Sequence, residues 1–109
     1  MLAFYSNYGS SVDIAAPGGD CGPDYPANCI GQYLIANAGI SASGAATYLL
    51  YGGTSMATPH VSAVAAYVRS IHPEWTPGQT RSWLKETAQT IGSRQSFGAG
   101  MVDADAAAN

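Results

Sequence analysis

The chain has 109 residues, enough for one small domain, of which 47% are hydrophobic and only 10% charged. An average globular chain is roughly 25% charged, so much of this surface is expected to lie against other protein. A net charge of −3 with only four Lys plus Arg excludes a basic stripe for nucleic acid, and no apolar run approaches the length of a membrane span.

The first residues, Met1 to Ser6, have no charged start and too short an apolar run for a signal peptide, so no export signal is expected on this chain. "SVDIAAPGG" reads as a short buried strand over residues 12–16, stopped by Pro17 and Gly18. "GGDCGPDYPANCIGQ" is rich in Gly, Pro, Asp and Asn and reads as a surface loop carrying Cys21 and Cys29. A disulfide between them fits an oxidising compartment; free thiols are the alternative, and two cysteines alone lack the other ligands of a zinc site. "QYLIANAG" and "ATYLLYGG" are apolar runs flanking the turn residues of "ISASGA", which predicts a β-hairpin.

The strongest helix signal follows, with Thr54 as the expected N-cap. Ala57, His60, Val61, Val64, Val68 and Ile71 keep helical spacing, and Ala63, Ala65, Ala66 and Tyr67 make the other faces apolar. Such a helix is expected to be buried nearly all round and to end before Pro73. "WTPGQTRSWLKETAQTIG" opens a second helix on a capping box, with Thr76 as cap, Pro77 first and Gln79 reaching back. Leu84, Ala88 and Ile91 form its inner stripe, Arg81, Lys85 and Glu86 are expected in solvent, and Gly92 is the expected stop. "FGAGMVDADAAAN" supplies a short strand at Met101 and Val102 and a last helix capped by Asp103. The order is that of an α/β piece.

Ser55 is the candidate for chemistry. Gly52 and Gly53 let the backbone bend and approach a ligand, and a helix start points free N–H groups and the positive dipole end outward. That suits a nucleophile whose attack creates an oxyanion. The same Thr-Ser pair also suits plain helix capping, and spacing alone leaves both readings open. His60 is no base for it. Five helical residues place it about 140° around the axis and about 7.5 Å along, whereas a proton transfer needs about 3 Å. His60 reads as a hydrogen-bonded core histidine and His72 as a surface residue at the helix end. Pro59 removes the N–H that would bind the Ser55 carbonyl, so an irregular first turn is expected. Met56 offers either an exposed, oxidisable thioether or core filler.

"GGTSMATPHVSA" resembles the nucleophile signature of the subtilisin-like serine proteases (subtilases), G-T-S-M-A-x-P-H-V, met at every defined position over residues 53–61. "YSNYGSSVDIAAPG", "HPEWTPGQTRSWLKETA" and "FGAGMVDADAA" are similar to that family's preceding strand, penultimate helix and closing segment. Only the cysteine loop, residues 19–31, has no clear counterpart.

The resemblance implies the C-terminal portion of a subtilisin-like three-layer α/β fold, with a mostly parallel sheet, a β-hairpin and a buried central helix. It implies a serine endopeptidase acting on polypeptides through an acyl-enzyme on Ser55. The Ser55 N–H would serve the oxyanion, and Tyr51, Gly52, Gly53, Thr54 and Met56 would line the cleft. The family's Asp and His motifs, D-[ST]-G and H-G, do not occur in these residues. Residues 1–109 are therefore expected to be a partial peptidase domain, inactive alone, whose partner is the N-terminal part of its own domain. Secretion is expected from the resemblance and the cysteine pair. No cofactor is required, though family members often carry calcium, and Asp13 stands where a weak calcium ligand is sometimes found. An α/β-hydrolase needs a histidine after its acid, and none follows Asp103 or Asp105. A non-catalytic truncated or complementing fragment, acting as a structural or binding piece, remains the alternative.

Overall fold

A computed structural model describes residues 1–24 and 27–109. The part of the cysteine loop at residues 25–26 lies outside them.

The hairpin forms as the two apolar runs and the turn residues between them predict. Strand β1 (Ile35–Ile40) pairs antiparallel with β2 (Ala46–Tyr51), in a register running from Ile35 opposite Tyr51 to Ile40 opposite Ala46. Its turn closes through Ser41, whose N–H donates to the Ala45 carbonyl at 2.8 Å and whose Oγ accepts from the Ala45 N–H at 3.1 Å. A single 3-10 turn, Gly31–Tyr33, leads into it.

Helix α1 (Thr54–Ile71) follows, then α2 (Pro77–Glu86), α3 (Arg94–Phe97) and α4 (Ala104–Ala108). The capping box of α2 is complete: the Thr76 Oγ1 accepts from the Gln79 N–H and the Gln79 side chain accepts from the Thr76 N–H. Asp103 caps α4 by accepting from the Ala106 N–H at 2.9 Å.

The core lies where α1 meets α2 and α4. Val68, Leu84 and Ala107 are buried, with Ile14, Val61, Val64, Ala65, Trp75, Trp83 and Val102 packed around them. Trp83 donates its indole N–H to the Ala107 carbonyl at 3.0 Å, which pins α4 to α2. The accessible surface is 7119 Å², where a folded 11.2 kDa monomer has roughly 5,700 Å². The radius of gyration, 15.6 Å, likewise exceeds the ~13 Å of a compact chain this long.

Several expectations change. Of α1 only Val68 is fully buried; Ile71, on the same predicted stripe, and Tyr67, on a neighbouring face, are exposed, because among the described residues no layer covers them. The predicted strand over residues 12–16 contracts to a single parallel bridge of Ala15 to Met101, the one parallel pairing among the described residues. Helix α2 ends at Glu86, short of Gly92, because the next residues leave to pair Gln89 antiparallel with Met101. Helix α3, a single turn capped by Ser93, was not foreseen. Arg81 stays exposed as expected and Lys85 is half-buried, but neither is unpartnered: both bind Asp13.

The closing segment shows why its glycines are needed. Gly98 has φ +59 and a Cβ there would lie 2.3 Å from the Asp13 carbonyl oxygen; at Gly100, φ +138, it would lie 2.2 Å from that of Gln89. Only backbone fits between these chains.

Candidate active site

Strand β2 stops at Tyr51, and Gly52 and Gly53 turn the chain into α1. Gly53 is the N-cap, at φ 157 and ψ 163, a conformation that belongs almost solely to glycine. Thr54, expected as the cap, is the first helical residue, and no side chain caps the helix. Gly53 donates its N–H to the Gly18 carbonyl at 2.8 Å, and its own carbonyl accepts from the Met56 N–H at 3.0 Å.

Ser55 is exposed in the first turn. Neither its N–H nor its Oγ has a hydrogen-bond partner among the described residues. The free N–H follows from helix geometry, since the first N–H groups have no carbonyl a turn earlier. It sits at the positive end of an 18-residue helix, where developing negative charge is stabilised.

Pro59 lies within α1 without ending it. Side chains tie the loosened first turn: Thr58 Oγ1 donates to the Thr54 carbonyl at 2.9 Å, and His60 Nδ1 lies 2.8 Å from the Met56 carbonyl. A carbonyl only accepts, so Nδ1 carries the proton. His60 is half-buried on the helix stripe and bonds to Met56, not to Ser55. The expected core histidine is thus a partly buried one that braces the turn. His72, at the far end of α1, stacks on Trp75 with ring centroids 3.9 Å apart and an angle of 4° between planes. Neither histidine reaches the serine.

Around Ser55, Tyr51 is 46% exposed and Met56 is half-buried, with its sulfur on the Gly53 side. The other wall is a segment that sequence reasoning placed only as a strand end. Gly18 and Gly19 run so close to the nucleophile turn that a Cβ on Gly18 would lie 2.8 Å from the Gly53 oxygen. The run Pro17-Gly18-Gly19 was the available signal, because consecutive glycines mark close backbone approach. Immediately beyond it, Cys21 and Cys29 form a disulfide with Cα atoms 4.9 Å apart.

Below the start of α1 lies a largely apolar hollow of 430 Å³, lined by Tyr5, Ile14, Ala57, Val61, Phe97 and Met101 among others. Asp13, considered above as a calcium ligand, does not fit that role. Its two oxygens are taken by Arg81 Nε at 2.7 Å and Lys85 Nζ at 2.9 Å. The hydrogen bond from Lys85, and then that from Arg81, hold its carboxyl below the usual range. Among the described residues no three His, Cys, Asp or Glu side chains cluster as metal ligands.

The chain is similar to known proteins along nearly its whole length. It is 39% identical over 105 residues to Subtilisin BL of Lederbergia lenta, covering 96% of this chain and 32% of that protein. It is 40% identical over 108 residues to an extracellular protease of Xanthomonas campestris pv. campestris, covering 96% of this chain and 17% of that one. A solved protease structure from Pseudoalteromonas arctica superposes with a TM-score of 0.82 at 38% identity, over 97% of this chain and 31% of the other. The chain thus spans about a third or less of the relatives it matches. A family model described as the Subtilase family matches residues 1–100, and the chain belongs to that family, with its subtilisin-like α/β fold.

Proposed function

We propose that Ser55 is the nucleophile of a serine endopeptidase acting on polypeptides, and that these 109 residues supply the nucleophile half of its site. The observation that carries the reading is an exposed serine in the first turn of α1, its own N–H unpaired, inside a chain of the subtilase family.

In that reaction Ser55 Oγ attacks the peptide carbonyl carbon, the carbonyl oxygen becomes an oxyanion facing the Ser55 N–H, and the C–N bond then breaks to leave an acyl-enzyme. Tyr51, Gly52, Gly53, Thr54 and Met56 line the cleft, with Tyr51 to Gly53 on its leaving-group side. The proton of Ser55 must pass to a base and from it to the leaving amine nitrogen, and neither His60 nor His72 is placed to carry it. The base and its orienting carboxylate therefore come from outside these residues. In subtilisin, a member of the same family, loss of the triad histidine costs on the order of 10⁶ in turnover. The 109-residue chain alone is accordingly inactive. Its partner is the Asp- and His-bearing part of a subtilase domain, which would also cover the apolar hollow and the open face of α1. An extracytoplasmic location is supported by the disulfide and by the Xanthomonas relative's description as extracellular.

A fluorophosphonate probe tests this. Mixing the chain with a subtilase segment bearing the Asp and His motifs should produce stoichiometric labelling at Ser55. Rapid labelling of the chain alone would overturn its inactivity, and no labelling of a folded mixture would overturn the nucleophile assignment.

A further inference from the structure

We propose that Tyr5 is a positioning residue for the nucleophile: its hydroxyl joins the Gly18–Gly19 segment to the Gly53 turn and so sets where α1 begins. The inference rests on the reading of Ser55 given above, and concerns how the serine is held.

Two segments of backbone, Gly18–Gly19 and the Gly53 turn, meet near the Tyr5 oxygen. The hydroxyl donates to the Gly19 carbonyl. A Cβ on Gly18 would lie 2.9 Å from that oxygen and 2.8 Å from the Gly53 carbonyl oxygen, so Gly18 is packed against both the phenol and Gly53. Gly53 in turn donates to the Gly18 carbonyl at 2.8 Å. The phenol thus buttresses the only backbone bond between the nucleophile turn and the neighbouring segment among the described residues. Gly53 needs such an external hold because no side chain caps α1 and Pro59 leaves the first turn a bond short. The ring is placed from behind by Phe4, edge to face at 5.3 Å between centroids.

The arrangement has a signature that a purely space-filling tyrosine lacks. Burial, and secondarily the charge of Asp20, push the Tyr5 hydroxyl above its ordinary value, while the Gly53 amide partly opposes them. Asp20 is the charged group facing it among the described residues. An ionised phenol cannot donate to the Gly19 carbonyl, so the joint is present below the Tyr5 pKa and lost above it.

Carbon-detected NMR of the 109-residue chain, as wild type and as Tyr5→Phe, decides the matter. In the wild type the carbonyl shift of Gly19 and the nitrogen shift of Gly53 should follow the Tyr5 ring carbon through one alkaline transition. In Tyr5→Phe both should be flat. At neutral pH, Gly53 amide exchange should be about tenfold faster in the variant, as for one lost hydrogen bond, with the Gln89 and Met101 amides unchanged. Unchanged Gly53 exchange, or acceleration reaching Gln89 and Met101 equally, would overturn the proposal. None of these readouts depends on labelling of Ser55, so failure here is distinct from failure of the catalytic reading.

Discussion

Asp13 and Arg81 lie 68 residues apart in sequence, yet Arg81 Nε donates to the Asp13 carboxylate at 2.7 Å, and Lys85 closes on its other oxygen at 2.9 Å. Two of the chain's four basic residues thus converge on one carboxylate. They fasten the segment before Ala15 to the outer face of α2, one turn apart on that helix.

The pH dependence of this lock has a definite sign. The Asp13 pKa is lowered in the folded chain, so its contribution is present above the unfolded value of about 3.9 and is lost as pH falls through the folded one. Asp13→Asn should be less stable than wild type near neutrality, by about 1 kcal/mol because the pairs are partly exposed. Thermal melts of the two should converge only once pH has fallen through the lowered folded-state pKa of Asp13, below which both carry a neutral side chain. A constant gap down to that pH would show that charge is not what holds the segment.

Ser55→Ala should leave the melting temperature of the chain unchanged within the ~0.5 kcal/mol of an ordinary surface substitution, since Ser55 Oγ bonds to nothing described. In the reconstituted mixture the same change should abolish fluorophosphonate labelling. A large stability loss would mean that the hydroxyl is structural.

Thr76→Ala removes the oxygen that accepts from the Gln79 N–H and opens the capping box. The cost should be about 1 kcal/mol in chemical unfolding, as for other N-caps.

Reducing Cys21–Cys29, which are 8 residues apart, should cost roughly 2–3 kcal/mol if the chain-entropy account holds. Urea titrations with and without dithiothreitol measure it. Because the loop attaches at Gly18 and Gly19, Gly53 amide exchange should also rise on reduction.

Gly100→Ala should be the most damaging of these changes, because its Cβ would enter the Gln89 carbonyl at 2.2 Å. Pushing these segments apart would break the Gln89–Met101 and Ala15–Met101 bridges together. Insoluble or non-cooperatively unfolding protein is the expected result, read by circular dichroism.

Where a feature is local, sequence alone determined it. The hairpin, the capping box at Thr76 and Gln79, the Asp103 cap and the serine at a helix start all depend on residues a few positions apart. The pairing of Cys21 with Cys29 belongs with them, because a short loop brings the two together. The motif around Ser55 also identified the family, and helix geometry excluded His60 as its base. Only the tertiary structure decided what couples distant segments. Arg81 and Lys85 look solvated on their helix until Asp13 arrives from the other end of the chain. The stripe of α2 predicted a helix to Gly92, but pairing of Gln89 with Met101 pulled the backbone out early. The hold of Tyr5 and Gly18 on Gly53 depends on three segments meeting in space, which no periodicity encodes. The apolar faces of α1 predict burial nearly all round, which the structure does not show: burial needs a covering layer, and within the described residues that layer covers only the side facing Leu84 and Ala107.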